Sequence, residues 1–361
     1  MKHCWSWIDK RSFSFNHATD CAANFVNNKT QKNRKNADSL INRVNLIMNS
    51  FSTNKIVVIG AGNVGQAIAY TLMIRHQVSD IVIIDRQIER SKSSAKDIAH
   101  ATGFFTQIPV RAGGYDECRD ADLIIMTAGI NRKPGQSRLD LARTNVDIVT
   151  GISENIMKYN PDPLILVVTN PVDIVTAAVL KITGADKNKI FGSGTILDTA
   201  RFRFIVSDIL KLGVTDVSGF VIGEHGDSHV PIWSNVHIGD LALSEYEKQF
   251  ATPIDKNQIE EYIKKAGADI IAGKGATFYG IAMAVARIVE NFINDKHGIM
   301  PLSHKLGEEF GDWAGAVISM PCVIGRSGIE KTIMPSMSDE ERKKMDRSVN
   351  IIKKMQKELG L

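Results

Sequence analysis

Lys55-Ile56-Val57-Val58-Ile59-Gly60-Ala61-Gly62-Asn63-Val64-Gly65 decides the fold of this chain. After Lys55 come four β-branched residues without polar alternation, as expected of a strand buried on both faces. The run enters three glycines spaced G-x-G-x-x-G, and Ala67, Ile68, Leu72 and Met73 then recur at helical spacing. Each glycine has its own task in such a strand–turn–helix unit. The first permits the tight turn, the second lets backbone approach a pyrophosphate, and the third lets the helix pack against the strand. The helix N-terminus then offers free N–H groups to phosphates. Gly60, Gly62, Asn63, Val64 and Gly65 are therefore candidate dinucleotide-binding residues.

A second apolar run, Ile81 to Ile84, ends in Asp85, about twenty residues past the glycines, where a carboxylate accepts ribose hydroxyls. Its charge repels a 2′-phosphate and favours NAD over NADP, an effect that adjacent Arg86 tempers slightly. Further strands are expected from Ala121 to Thr127, ending at Ala128-Gly129, and from Leu164 to Thr169, ending at Asn170-Pro171. Strands alternating with helical stretches predict an α/β protein with a Rossmann-type doubly wound parallel sheet. Ligands of such sheets bind beyond the carboxyl ends of the strands. That adds Thr127, Ala128, Gly129, Thr169 and Asn170 to the cofactor set. Short strands over Val217–Ile222 and Trp233–Ile238, then helices over Ile259–Ile271 and Ala282–Phe292, predict a mixed α+β substrate domain. Ser338 and Glu341 have capping-box spacing ahead of a last amphipathic helix. The expected division is an NAD-binding domain over 54–194 and a substrate domain over 195–361.

Hydrophobic content of 43% and charged content of 23% are those of an ordinary globular protein. The net charge of +4 is mild, and no basic stripe with interleaved aromatics suggests nucleic acid. No apolar run reaches the roughly 18 residues that would suggest a membrane span. Cys4, Cys21, Cys118 and Cys322 are too scattered for a zinc cluster or a disulfide framework, so no metal is expected and a reducing, cytoplasmic setting fits. Residues 1–53 are polar, basic and acid-poor, and they read as a disordered extension. Met48, just before the first strand, would be a natural start. A targeting segment is the alternative, but Arg-rich amphipathic character is lacking.

Far downstream stands Glu224-His225-Gly226-Asp227, a histidine framed by glycine and acid. A dinucleotide and a proton acceptor together supply what oxidising an alcohol requires. The chain resembles the L-lactate/malate dehydrogenase family from about Asn54 to its end. The resemblance rests on Gly60–Gly65, Thr127-Ala128-Gly129, Arg138-Leu139-Asp140-Leu141, Thr169-Asn170-Pro171-Val172-Asp173, Leu197–Arg203 and Gly223–Ser228, in that order. It implies His225 as acid/base, with Asp198 holding the other ring nitrogen. Imidazole chemistry agrees, its unperturbed pKa being the closest to neutrality. It implies Arg201 as a planar clamp on the substrate carboxylate, Arg138 as polariser of the carbonyl, and Asn170 as a donor near the reacting oxygen. Asn145 joins the cofactor set on the same basis. A small 2-oxo or 2-hydroxy acid substrate, a place in glycolysis and pyruvate fermentation, and a homodimer or homotetramer follow as expectations. Taken alone, Asp198 and Arg201 could be an ordinary i,i+3 pair, and His225 a loop histidine. His100 and His229 read as structural.

Gly129 to Arg138 has the composition of a mobile lid, and the family is thought to close a loop here over substrate. Within it, Arg132 stands where lactate enzymes of the family have Gln and malate enzymes Arg. A charged hydrogen bond to a second carboxylate contributes roughly 1.5–3 kcal/mol. By contrast, Gly226-Asp227-Ser228, Pro231-Ile232-Trp233-Ser234 and Lys274–Tyr279 look like the lactate branch, with Thr277 crowding the substrate's methyl end. Lactate is the expected substrate, with malate or a bulkier 2-hydroxy acid as the alternatives. Bisphosphate activation in this family uses a basic pair, of which Arg203 is present while Ser218 replaces the histidine. Activation should be weak or absent: titrating fructose 1,6-bisphosphate in the micromolar range should leave the pyruvate KM essentially unchanged.

Overall fold

The β-branched run forms β1 (Lys55–Ile59), with every residue buried. The computed structural model describes residues 54–104, 108–131 and 135–361, and Asn54–Leu361 is one compact unit. The extension expected over 1–53, and Arg132 with it, lie outside the described residues. From β1 the chain runs through α1 (Asn63–Ile74), β2 (Asp80–Ile84), α2 (Ile88–Ala101), β3 (Val110–Ala112) and β4 (Leu123–Met126). It continues through α3 (Arg138–Met157), β5 (Ile165–Val167), α4 (Val172–Thr183), β6 (Ile190–Gly192) and α5 (Ile196–Leu210).

These six strands are parallel and lie in the order β6-β5-β4-β1-β2-β3. The chain builds outward from β1 through β2 to β3, then returns to β4 on the other side of β1. The switch point is therefore between β1 and β4, where their carboxyl ends leave a crevice. Alternate side chains explain the two helical layers. Ile56, Val58, Ile81, Ile83, Leu123 and Ile125 share one core with α1 and with α8 (Tyr279–Ile293). Val57, Ile59, Val82, Ile84, Ile124 and Met126 share the opposite core with α3 and α4.

Downstream, two-residue strands β7 (Val217–Ser218), β8 (Val221–Ile222), β9 (Val230–Pro231), β10 (His237–Ile238) and β11 (Leu241–Ala242) precede α6 (Leu243–Phe250) and α7 (Lys256–Lys274). After α8 come β12 (Gly298–Lys305), β13 (Val317–Gly325), β14 (Gly328–Thr332) and α9 (Asp339–Glu358). The doubly wound sheet and the expected helices are all present, and Ser338 and Glu341 form the capping box before α9.

Several details differ from the sequence reading. The expected strand over Val217–Ile222 is interrupted at Gly219 (φ +151°), and Trp233–Asn235 forms a 3-10 turn rather than a strand. Asp122 sits before β4, not in it, and its carboxylate accepts from Lys55 N at 2.8 Å and from Arg326 at 3.0 Å. The larger omission is β12–β14. They run antiparallel and extend the parallel sheet to nine strands through the pairing of Ser303 with Gly192. Pro301 and Pro321 face each other in this hairpin, so neither strand shows a clean β pattern in sequence.

The turn after β1 leaves no room for side chains at two of its glycines. Gly60 has φ +112°, and a β-carbon there would lie 2.6 Å from Thr127 Oγ1. At Gly65 it would lie 1.9 Å from the Gly60 carbonyl oxygen, so α1 can rest on β1 only without one. Gly62 differs, since nothing comes nearer than Arg90 at 4.0 Å, and that space is open to a ligand. Gly65→Ala should therefore lower the Tm as well as abolish NADH binding. Gly62→Ala should keep the Tm and lose NADH affinity, as read by thermal melts and NADH fluorescence titration.

Candidate active site

The crevice at the switch point has a donor end and an acceptor end. The N-terminus of α1 carries no side-chain cap and no acid in its first turn, so its N–H groups remain available to an anion. Asp85, the residue after β2, accepts from Ala61 N at 2.8 Å through one oxygen and from Gln87 N at 2.9 Å through the other. A carboxylate has about four lone-pair sites, so both oxygens can still take ribose hydroxyls. Free N–H groups, an open Gly62 and a carboxylate at the next strand fit a dinucleotide without a 2′-phosphate.

The other cofactor candidates form the floor. Thr127 Oγ1 donates to the carbonyls of Ile59 and Gly60, at 3.0 Å in each case, tying the ends of β1 and β4 together. Thr169 Oγ1 donates to the Ala128 carbonyl at 2.8 Å. Asn145 is fully buried and its amide is spent on backbone. It accepts from Ile130 N at 2.8 Å and donates to the carbonyls of Ile130 and Asn170 at 3.1 and 2.6 Å. It is thus a strap between the segment after β4 and Asn170. A β-carbon at Gly129 would press on this strap, 3.1 Å from Asn145 Oδ1.

Beyond this floor lies the polar cluster. Asp198, in the first turn of α5, points Oδ2 at His225 Nδ1 (2.6 Å) and accepts from Arg201 through Oδ1 at 3.1 Å. The i,i+3 spacing, which taken alone could mark an ordinary surface pair, here sits largely out of solvent, with the Asp198 side chain 4% and the Arg201 side chain 15% exposed. His225 is 24% exposed, so its ring reaches solvent while Nδ1 is held. Burial opposes charge on this ring, but the Asp198 carboxylate outweighs it and raises the His225 pKa above its ordinary value. Burial likewise pushes the Asp198 carboxyl up, and the His225 charge and hydrogen bond pull it down to about 2. The pair therefore favours imidazolium facing carboxylate. With a folded pKa above the unfolded value of 6.5, the stability from His225 is fully present below 6.5 and is lost as pH rises through the folded pKa.

Arg138 opens α3 and reaches the same loop. Its guanidinium pairs with Glu224 at 3.2 Å and Asp227 at 2.7 Å, the acids on either side of His225. Glu224 is itself buried, its second oxygen taken by the Ser228 hydroxyl, and its N–H is bonded by Ser348 Oγ of α9 at 2.8 Å. Gly223 has φ +91°, and a β-carbon there would lie 2.8 Å from Ser348 Oγ, so the loop can turn against α9 only with glycine.

His225, Asp198, Arg201 and Arg138 are thus gathered, while Asn170 and Thr277 make no side-chain bond to them among the described residues. Asn170 is exposed on the adjoining floor. Thr277 is half-buried in the loop from α7 to α8, which Lys274 closes by lying 3.6 Å from the Phe278 ring centroid and 4.2 Å from that of Tyr279. α7 also carries Gly267, where a β-carbon would stand 3.7 Å from the Arg201 guanidinium.

Sequence reasoning gave no role to Asp173, although it lies in the quoted Thr169–Asp173 motif. It is 2% exposed and accepts from the His225 backbone N–H at 2.8 Å. His229, read as structural, is buried beside this cluster. Its Nε2 has no partner among the described residues, and burial lowers its pKa.

An open glycine turn and an uncapped helix N-terminus at the switch point, together with a carboxylate–imidazole pair and two arginines, define an α/β oxidoreductase of the dehydrogenase type. Models of the lactate/malate dehydrogenase NAD-binding domain and of its alpha/beta C-terminal domain match residues 54–192 and 195–360. The chain belongs to the lactate/malate dehydrogenase family. It is 39% identical over 310 residues to the L-lactate dehydrogenase of Acetivibrio thermocellus, covering 85% of this chain and 98% of that protein. A crystal structure of a lactate dehydrogenase enzyme from a Medee basin deep-sea metagenome library superposes with a TM-score of 0.82 at 31% identity, over 86% of this chain and 99% of that one. The minor L-lactate dehydrogenase from Enterococcus mundtii, in its ligands-bound form, gives 0.81 at 33% identity, over 84% and 98%. No helix among the described residues is long and apolar enough to cross a membrane.

Replacing Asp198 by Asn should leave the His225 ring, still largely desolvated, without its counter-charge. Its pKa, raised in the native protein, should then fall below the ordinary histidine value, as read by NMR titration of the ring protons. An unmoved titration would show that Asp198 is not the source of the shift.

Proposed function

We propose that this protein is an NAD-dependent L-lactate dehydrogenase that interconverts pyruvate and L-lactate. The observation that carries the reading is the Asp198 carboxylate, with one oxygen on His225 and the other on Arg201, in a chain whose β1 turn leaves Gly62 open and the α1 N-terminus uncapped, as a dinucleotide pyrophosphate requires. Residues 54–194 would hold the cofactor and 195–361 most of the substrate site, with Asn170 and Arg138 contributed by the first half. By the same family likeness the chain works as a homodimer or homotetramer, in the cytoplasm, at the fermentative end of glycolysis.

When bound, the reduced nicotinamide supplies the hydride. Gly60, Gly62, Asn63, Val64 and Gly65 would hold its pyrophosphate, and Asp85 would accept ribose hydroxyls. Thr127, Ala128, Gly129, Asn145, Thr169 and Asn170 would line the rest of the cofactor site. The guanidinium of Arg201 pairs with the substrate carboxylate and turns the carbonyl toward His225. His225 Nε2, the ring nitrogen not held by Asp198, gives its proton to the carbonyl oxygen during reduction and recovers it during oxidation. Asp198 keeps the ring oriented and stabilises the imidazolium that must exist before the proton moves. Arg138 polarises the carbonyl, and Asn170 donates to the same oxygen. One hydride to carbon and one proton to oxygen complete the reduction.

Thr277, at the methyl end, supports pyruvate over larger acids. Arg132 supports a second reading, malate dehydrogenase, because its charge suits the second carboxylate of oxaloacetate. NADH oxidation with pyruvate and oxaloacetate in parallel tests both. We expect the higher kcat/KM with pyruvate, and Arg132→Gln should change it little while depressing whatever oxaloacetate activity exists. A higher kcat/KM with oxaloacetate would establish the malate reading. Reduction of branched 2-oxo acids at comparable rates would instead indicate a broader 2-hydroxy acid dehydrogenase.

A further inference from the structure

Asp173 stands in the first turn of α4, where an acid ordinarily bonds its own helix N–H groups or faces water. Here both oxygens leave the helix. Oδ2 accepts from the backbone N–H of His225 at 2.8 Å and Oδ1 from Ser303 Oγ of β12 at 2.6 Å. The residue is 2% exposed, and no lysine or arginine pairs with it among the described residues. A carboxylate buried without a cation is costly, and its pKa is pushed up to about 6, chiefly by that burial. Replacing it with an apolar residue would remove that cost, so its presence calls for a task.

Its position suggests one. Asp173 lies three residues after Asn170, whose carbonyl is strapped by Asn145, at the start of the same helix. Through Oδ2 it ties that helix to the backbone of the proton-transfer residue. We propose that Asp173 is a positioning residue, which holds His225 in register with Asn170 and places a second buried negative charge beside the imidazole. The assignment rests on the dehydrogenase reading above and deepens it. The proton-transfer geometry is then set from two helices, with Asp198 on α5 gripping the ring and Asp173 on α4 gripping the main chain. Ser303 props the second carboxylate from the antiparallel extension of the sheet.

The charged groups around the ring leave room for this effect. From α5 come Asp198 and Arg201, the first raising and the second lowering the affinity of His225 for its proton. From α4 comes Asp173, which raises it. From its own loop come Glu224 and Asp227, both paired with Arg138 of α3. His229 lies nearby, itself influenced by Lys264 of α7. Asp173 is thus the one negative group on α4 facing the ring, and its charge adds to that of Asp198.

The test uses the full chain with Asp173→Asn, Asp173→Ala and Ser303→Ala. The readouts are the His225 ring titration by NMR and the pH profile of kcat/KM for pyruvate. Asp173→Asn removes the charge but keeps one acceptor. It should lower the His225 pKa and move the alkaline limb of pyruvate reduction to lower pH, with KM nearly unchanged. Asp173→Ala should shift the limb similarly and also lose kcat/KM by on the order of tenfold to a hundredfold, as expected of a misplaced acid. Ser303→Ala keeps the bond to His225 but removes a donor that holds the Asp173 pKa down, so its ring titration should shift in the same direction as in Asp173→Asn and by less. Native-like ring titration in Asp173→Asn would overturn the proposal, and that near-isosteric variant decides the matter if Asp173→Ala fails to fold. The titration needs no substrate, so a lowered His225 pKa in a protein that reduces no 2-oxo acid would sink the lactate reading alone.

Discussion

A carboxylate shut away from water must find positive partners or give up its charge. Asp198 finds two, His225 on one oxygen and Arg201 on the other, and the arrangement around the site follows from keeping those contacts together. Arg201 comes with Asp198 on the same helix face, three residues on, with α7 packed close to its head at Gly267. His225 has to be brought in from a loop, and much of the surrounding architecture holds that loop still. The result is an imidazole whose charged form is favoured by its own support.

The loop from Gly223 to Ser228 accordingly touches much of the chain. Gly223 bridges to Ser319 of β13 and packs on Ser348 of α9. Glu224 and Asp227 take Arg138 from α3, and the His225 backbone takes Asp173 from α4. Four helices and the antiparallel end of the sheet thus meet at six residues. Arg138, a single side chain with two acids, joins the start of α3 to the loop carrying His225. Any movement of that segment would therefore be felt at His225.

Much of this was legible in the chain. The parallel sheet and its crevice followed from β-branched runs punctuated by glycine, because burial on both faces and close helix–strand approach leave local marks. The capping box before α9 was equally local, resting on Ser338 and a residue three positions later. Less was legible where the pattern was broken. β12 and β13 carry facing prolines at 301 and 321, and their membership of the main sheet depends on a single pairing with Gly192. Asn145 was assigned to the cofactor, yet its amide is spent on the backbone of Ile130 and Asn170, a use visible only once those segments lie side by side.

By itself the sequence determined the fold class, the place of the dinucleotide crevice and the residues able to do acid–base chemistry. Each depends on side-chain type and on spacings of a few residues, which backbone geometry converts directly into strand, turn or helix. Only the tertiary structure decided which of those residues meet. Asp198 and His225 are 27 positions apart, Asp173 and His225 52, and Arg138 and Glu224 86. Only Asp198 and Arg201, three apart, could be paired from spacing, and even there it is burial that separates a surface pair from the support of the His225 ring. Burial and partnership are properties of the packed chain, because the desolvation that shifts a pKa depends on everything that surrounds the group.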